Sequence, residues 1–312
     1  MIKAGILSIG SYIPKKKITN FDLEKTLDTT NQWIIERTGI EERYIAEEEK
    51  ASDMAIKAVE NMLEKKILKK EDIEMIILSS ATPDYNGYPS TACILQSKLG
   101  LRNIPCFDLT AACSGLIYAI SIANAYVKSG IYKNILVVST EKNSSILNWE
   151  DRNTAVLFGD GATAITISSD SKNLIQNVEI SSNGENYNVL KVDPFIIMEG
   201  KEVFKYAVKE GTRLIDKSLK KLNFSKEDIK MYIPHQANIR IIDGISKKMK
   251  IDKKLFYSNV EKFGNTSSAS IGIALDEVTK KGNLKLKSKV ALFAFGAGLS
   301  SGIVVFEYNE KI

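Results

Sequence analysis

The chain has 312 residues, 44% hydrophobic and 26% charged, a composition that supplies a large core or two and excludes disorder, collagen and small disulfide scaffolds. Its 43 basic and 38 acidic residues leave a net charge of +5, too mild to indicate a nucleic-acid partner. A single histidine excludes mechanisms that need two, and three cysteines without a Cys-x-x-Cys pair suggest neither a disulfide framework nor a thiolate metal site.

Residues 1–10 lack the apolar segment and cleavage site of a secretory signal and read as a first strand, so a cytoplasmic protein is expected. No apolar stretch approaches the roughly 20 residues of a membrane span. An amphipathic helix is expected over residues 52–66, and the segment Lys70-Glu71-Asp72-Ile73-Glu74-Met75-Ile76-Ile77 follows it into a β-rich run. That segment returns as Lys226-Glu227-Asp228-Ile229-Lys230-Met231-Tyr232-Ile233, identical at six of eight positions and 156 residues later, half the chain length. A helical stretch, residues 203–222, again precedes it. Further on, a loop entering a helix and then a strand (108–130, 134–139) is matched by 265–282 and 290–295. Strands such as 76–78, 135–138 and 290–293 are continuously apolar, as strands covered by helices on both faces require. These features predict an α/β fold of two pseudo-duplicated halves, 1–170 and 171–312, with helices between and around two sheets and a site at the seam.

Three residues stand where such a seam would gather chemistry. Cys113, in Thr110-Ala111-Ala112-Cys113-Ser114-Gly115, sits where an extended run becomes a helix. The dipole and free N–H groups there favour a thiolate, and the small neighbours admit a substrate carbonyl; Cys113 reads equally as a small buried hydrophobe, the reading given to Cys93 and Cys106. His235, in Pro234-His235-Gln236-Ala237-Asn238, follows a strand. A lone histidine is more often structural, but functional groups gather just beyond strand ends in α/β sheets. Asn265, in Gly264-Asn265-Thr266-Ser267, reads as a helix N-cap or as a third member of the set, since its loop is the counterpart of the Cys113 loop.

With Trp33-Ile34-Ile35-Glu36-Arg37-Thr38-Gly39-Ile40, Phe158-Gly159-Asp160-Gly161-Ala162 and Phe295-Gly296-Ala297-Gly298, these motifs give the chain, from Leu7 to Glu307, a resemblance to the β-ketoacyl-acyl-carrier-protein synthase III family of the thiolase-like superfamily. The resemblance implies a layered α-β-α-β-α sandwich and a Cys113, His235 and Asn265 set that initiates fatty-acid synthesis. Cys113 takes an acyl group from a short acyl-CoA, acetyl-CoA above all, and a malonyl-acyl-carrier-protein thioester then undergoes decarboxylative condensation with it. It further implies CoA contacts from Thr29, Trp33, Arg37 and Arg152, a channel lined by Phe158 and Leu147, and an oxyanion donor at Ala297. Tyr88 would close the partner's acyl pocket in a homodimer, and Lys205, Arg240, Lys247 and Lys248 would receive the carrier protein. No cofactor, metal, nucleic acid or membrane partner is implied.

Three positions depart from the family pattern: Lys201 for an Asn near the pantetheine arm, Ala297 within a run of glycines, and Leu299 for an aromatic residue. A papain-like hydrolase shares the Cys, His, Asn order but predicts secretion, disulfides and a Cys-Gly-Ser-Cys-Trp motif, which is absent. A related acyltransferase or specialised-metabolite ketosynthase would keep the same three residues, and a catalytically dead carrier-binding homologue is disfavoured because all three positions are filled.

Overall fold

The computed structural model describes residues 2–312; Met1, at the head of the expected first strand, lies outside the described residues. In chain order the main elements are β1 (Gly5–Tyr12), α1 (Asn31–Thr38), α2 (Ala51–Leu63), β2 (Met75–Ser79), α3 (Thr91–Leu99), β3 (Cys106–Leu109), α4 (Gly115–Ser129), β4 (Asn134–Glu141), β5 (Gly161–Ser168), β6 (Ile175–Ser182), α5 (Gly200–Leu222), β7 (Ile229–Pro234), α6 (Ile239–Met249), α7 (Ser270–Lys280), β8 (Ser288–Gly296) and β9 (Ser300–Tyr308). The first sheet runs β1-β5-β4-β2-β3, and the second runs β6-β9-β8-β7. In each, an antiparallel pair on one side joins parallel strands on the other, β4 with β2 and β8 with β7. The fifth strand of the second sheet is reduced to one parallel bridge between Tyr232 and Phe256. Duplication thus reaches strand order and direction.

The continuously apolar strands are buried on both faces because helices cover both. Helices α4 and α7 lie between the sheets and touch each of them, while α2 and α3 cover the outer face of the first sheet and α5 that of the second, with α6 packed on α5. The result is five layers, α-β-α-β-α. Ile117 and Ile120 of α4 and Ile271 and Leu275 of α7 share one apolar cluster with Ile77 and Leu292, none exposed at all. Burying a side chain of this size contributes about 1.5–3 kcal/mol, so this middle layer is what joins the halves.

The repeated segments adopt the same local structure. Lys70–Asp72 and Lys226–Asp228 are short 3-10 turns in which Asp72 and Asp228 accept the N–H of Lys69 and Ser225. Lys70 donates to the carbonyl of Leu99, the last residue of α3, and Lys226 to that of Met249, the last of α6. A cation therefore caps the equivalent helix in each copy, which gives the identical lysines a physical reason.

Some expectations are corrected. Cys93 is exposed and Cys106 half-buried, with sulfurs 3.3 Å apart, and neither is the buried small hydrophobe expected. Ser90 caps α3 at the surface, so Cys93 in its first turn faces outward beside the edge strand β3. The hairpin of Leu190–Val192 and Ile196–Met198, which leans toward the site, had no signal in the sequence beyond short apolar runs.

Candidate active site

Cys113 lies in a 3-10 turn, Ala112–Ser114, at the mouth of α4, and the counterpart turn Ser267–Ala269 opens α7. The first residue of each turn, Ala112 (φ 45°) and Ser267 (φ 50°), holds a left-handed backbone that a non-glycine residue adopts only at a cost of about 1–3 kcal/mol. The two strained positions are 155 residues apart, the repeat distance within one, so both halves bend the chain identically to set a side chain at the seam. Gly296 packs on Cys113 so closely that a Cβ there would stand 2.8 Å from the Cys113 nitrogen.

His235 extends from the end of β7, its N–H held by the carbonyl of Phe293 at 2.8 Å, and its ring meets Phe295 edge-on. Its Nδ1 lies 2.7 Å from Ser270 Oγ, which accepts the N–H of Gln236 and so has its own proton to give. Ser270 donates to Nδ1, which assigns the proton to Nε2 and makes the cavity-facing nitrogen a donor. Burial alone pushes the imidazole down to about 3, so it stays neutral.

Asn265 is seated by a strand-like bridge across the seam: its N–H donates to Leu157 O at 2.8 Å, and Gly159 N–H donates to its carbonyl at 3.0 Å. Its Oδ1 accepts the N–H of Ser267 at 2.8 Å, which fixes the amide and leaves Nδ2 as its donor end. The capping and functional readings of Asn265 are thus both served by one side chain.

Cys113, His235 and Asn265 line one cavity of about 710 Å³, a size suited to a small-molecule ligand. Its walls come from both halves, with Trp33, Arg37 and Phe158 from the first and Asn238, Arg240 and Phe295 from the second. One expectation reverses here. Burial pushes the Cys113 thiol up to about 12, with the carboxylate of Glu141 adding to it, so helix position does not make a resting thiolate. The nucleophile has to be generated during the reaction.

The chain resembles known proteins throughout its length. Residues 107–184 match the 3-oxoacyl-[acyl-carrier-protein (ACP)] synthase III family, and residues 219–308 match that family's C-terminal region. The β-ketoacyl-[acyl-carrier-protein] synthase III of Campylobacter fetus is 42% identical over 328 aligned residues, covering all of both chains. The chain belongs to the β-ketoacyl-acyl-carrier-protein synthase III family. The solved structure of the family member from Aquifex aeolicus superposes with a TM-score of 0.95 at 42% identity, covering 98% of this chain and 100% of the other. A priming β-ketosynthase of the R1128 polyketide pathway superposes nearly as well, at 0.93 and 31% identity over 99% and 97% of the two chains. The expected thiolase-like fold is therefore present.

The residues that family resemblance assigned fall in several places. Trp33 and Arg37, on α1, line the cavity mouth. Arg152 lies over the Trp33 ring at 5.2 Å and donates to the carbonyl of Asp28 at 2.6 Å, with Thr29 adjacent and its hydroxyl buried without a partner. Phe158 lines the cavity; Leu147 does not, and instead packs behind it with Ile34 and Val156. Gly296 and Leu299 form the wall on either side of Ala297, whose carbonyl accepts the Ser300 hydroxyl. Lys201, Lys205 and Arg240 line the cavity mouth, and Lys247 and Lys248 are exposed farther along α6. Tyr88 is absent from the lining and 91% exposed. Among the described residues, no group of three or more His, Cys, Asp or Glu is placed to hold a metal, and no helix is long and apolar enough to cross a membrane.

Three residues escaped the sequence. Ser267 and Ser270 carry no signal beyond lying where a loop opens a helix, and Glu141 is the one charged residue of its strand, Asn134–Glu141, an anomaly that is the available signal. Glu141 is fully buried, which raises its carboxyl to about 7. Its folded form binds the extra proton between about pH 4.5 and 7, so it removes stability as pH rises through that range. His235 works oppositely: the unfolded chain binds the extra proton between about pH 3 and 6.5, so stability is lost as pH falls through that range. We expect Glu141→Gln to uncover the histidine slope, with urea midpoints that rise from pH 4.5 to 6.5 more steeply than in wild type, by up to about 1.4 kcal/mol per pH unit. Parallel curves for the two proteins would contradict it.

Proposed function

We propose that the chain carries out the initiating condensation of fatty-acid synthesis. The Cys113 thiol attacks a short acyl-CoA, the carbon–sulfur bond to CoA breaks, and CoA leaves as its thiol. Malonyl carrier thioester then loses carbon dioxide, and the electron pair of the broken carbon–carbon bond forms an enolate. That enolate attacks the acyl carbonyl on Cys113 and expels the sulfur, which takes up a proton. Each step balances without a metal or redox group. Two N–H donors aimed at the enolate oxygen, His235 Nε2 and Asn265 Nδ2, stabilise the transition state beyond the ground state. The observation that carries this reading is the convergence of Cys113, His235 and Asn265 on one cavity.

The same reading gives the mouth to CoA. Trp33 and Arg152 are suited to clamp a purine, the guanidinium moving off the indole to admit it, with Thr29 beside them and Arg37 meeting phosphate. Phe158 and Leu299 bound the acyl group, the Cys113 and Ala297 N–H groups serve the acyl oxyanion, and Lys201 takes the place of an amide near the pantetheine. Lys205, Arg240, Lys247 and Lys248 would meet an acidic carrier in a salt-sensitive contact. A homodimer is supported by the open edge of β3 and by the exposed Tyr88 ring, which projects as though for a partner. The chain divides at about 170/171, between β5 and β6, and acts in the cytoplasm.

In the test, protein, acetyl-CoA and malonyl carrier protein should yield carbon dioxide and a 3-ketoacyl carrier in equal amounts, and Cys113→Ala should yield neither. Acyl transfer to the carrier or another nucleophile without carbon dioxide would favour the acyltransferase reading. Condensation only with a bulkier primer would favour a specialised ketosynthase.

A further inference from the structure

The Cys113 thiol is buried and protonated, and the residue beside it that would ordinarily take its proton is not free to do so. With Nδ1 accepting from Ser270, His235 presents N–H to the cavity and has no lone pair to offer the thiol. The side chain that does touch the sulfur is Ser267, whose hydroxyl lies 3.4 Å from Cys113 Sγ and 3.4 Å from Glu141 Oε1. One hydroxyl therefore links the thiol to a carboxylate.

Glu141 is built into its place. It stands at the end of β4, wholly buried, where Oε2 accepts the N–H of Ala81 at 3.0 Å and the hydroxyl of Thr82 at 3.2 Å, and Oε1 accepts the hydroxyl of Ser268. It forms no ion pair among the described residues. The neighbouring cation, Lys142, points away and donates to the carbonyls of Glu47 and Glu49. The groups facing Glu141 from the β2 end and the 3-10 turn before α7 are neutral N–H and hydroxyl donors, so among the described residues Cys113 is the one titratable group facing it. An uncompensated carboxylate buried this deeply is costly to keep, and its placement one hydroxyl from the nucleophile gives it a use.

We infer that Glu141 is the proton acceptor for Cys113, acting through Ser267 as a positioning pair in the acylation step. The thiol passes its proton to Ser267 Oγ as Ser267 passes its own to Glu141 Oε1, and the sulfur electron pair attacks the thioester carbonyl. When the carbon–sulfur bond to CoA breaks, the proton returns along the same path to the departing CoA sulfur. Atoms and charge balance: the single negative charge moves from Glu141 to the sulfur, then to the oxygen of the tetrahedral intermediate, and is back on Glu141 once the CoA sulfur has taken the proton. In the condensation step the path runs in reverse: Glu141, left ionised by acylation, takes up a proton from water and passes it through Ser267 to the expelled Cys113 thiolate, which restores the thiol and the carboxylate. Burial that raises Glu141 to about 7 matches it to this task, because an acceptor works best near the pH at which it operates.

This inference rests on the acyl-Cys113 reading, and the experiment separates the two. Single-turnover acylation by acetyl-CoA is followed by intact mass for wild type, Glu141→Gln and Ser267→Ala, with CoA affinity measured alongside. Each variant should acylate about 10²-fold more slowly with CoA affinity unchanged. Cys113 alkylation by iodoacetamide supplies a readout that packing damage does not move. In wild type its rate should rise to a plateau as Glu141 ionises near pH 7, whereas in both variants it should climb without a plateau through pH 9. Ser267→Ala leaves Glu141 its other donors and carries the test alone should Glu141→Gln not fold. Variants that acylate at the wild-type rate, or keep the wild-type alkylation profile, would overturn the relay. Wild-type protein that takes no acyl group would overturn the acyl-Cys113 reading instead.

Discussion

Replacing His235 by Ala should slow decarboxylation of the malonyl thioester by about 10²–10³-fold, the effect of removing one donor from a preorganised oxyanion site, while Cys113 still takes up an acyl group. The separation follows from position. His235 is neutral, fixed by Ser270 as an Nε2–H donor and seated by the Phe293 carbonyl, so its contribution is a directed hydrogen bond that strengthens as charge builds on the enolate oxygen. Asn265→Ala should lose a similar factor, and the double variant less than the product, because both donors serve one oxygen. The measurement is single-turnover carbon dioxide release from preformed acyl-enzyme. Equal loss of acylation and decarboxylation would place His235 in the first half-reaction.

Gly296→Ala should cost about 1–3 kcal/mol of stability by overpacking and most of the acylation rate. The added methyl would meet the Cys113 nitrogen at 2.8 Å and its Cβ at 3.2 Å, backbone and a short side chain that have nowhere to swing. Relief requires β8 and the Cys113 turn to separate, which moves the sulfur off line. Small misplacements of reacting groups cost large factors in rate. Urea midpoints and acylation rates of the same protein check both parts. A variant that acylates at the wild-type rate would show that the turn tolerates displacement.

Much of the architecture was legible because duplication writes each signal twice. The Lys70 and Lys226 segments are alike because each lysine caps the helix that follows, and the loops before α4 and α7 are alike because each bends through a left-handed residue. Cys113, His235 and Asn265 were legible because strand ends and helix starts are places a sequence marks. Glu141 and Ser267 were not, since their meaning lies in a contact between halves, 126 residues apart in the chain, and Ser270 was not, since its meaning lies in a contact with His235 on a different element 35 residues away. The state of the Cys113 thiol was misread for a related reason: helix position is local and visible, whereas burial by Gly296, Ser267 and the second sheet is not. Leu147 was assigned to the channel on motif position, yet the channel wall is set by which face of its turn looks inward.

The most direct test of convergence on one cavity is a pulse and chase on a single sample. Wild-type protein loaded with labelled acetyl-CoA is digested and mapped, and a parallel portion is chased with malonyl carrier protein. The label should map to the peptide containing Cys113 and move quantitatively into a 3-ketoacyl carrier with release of one carbon dioxide per label. Label on another residue, or label on Cys113 that the chase leaves in place, would contradict the account.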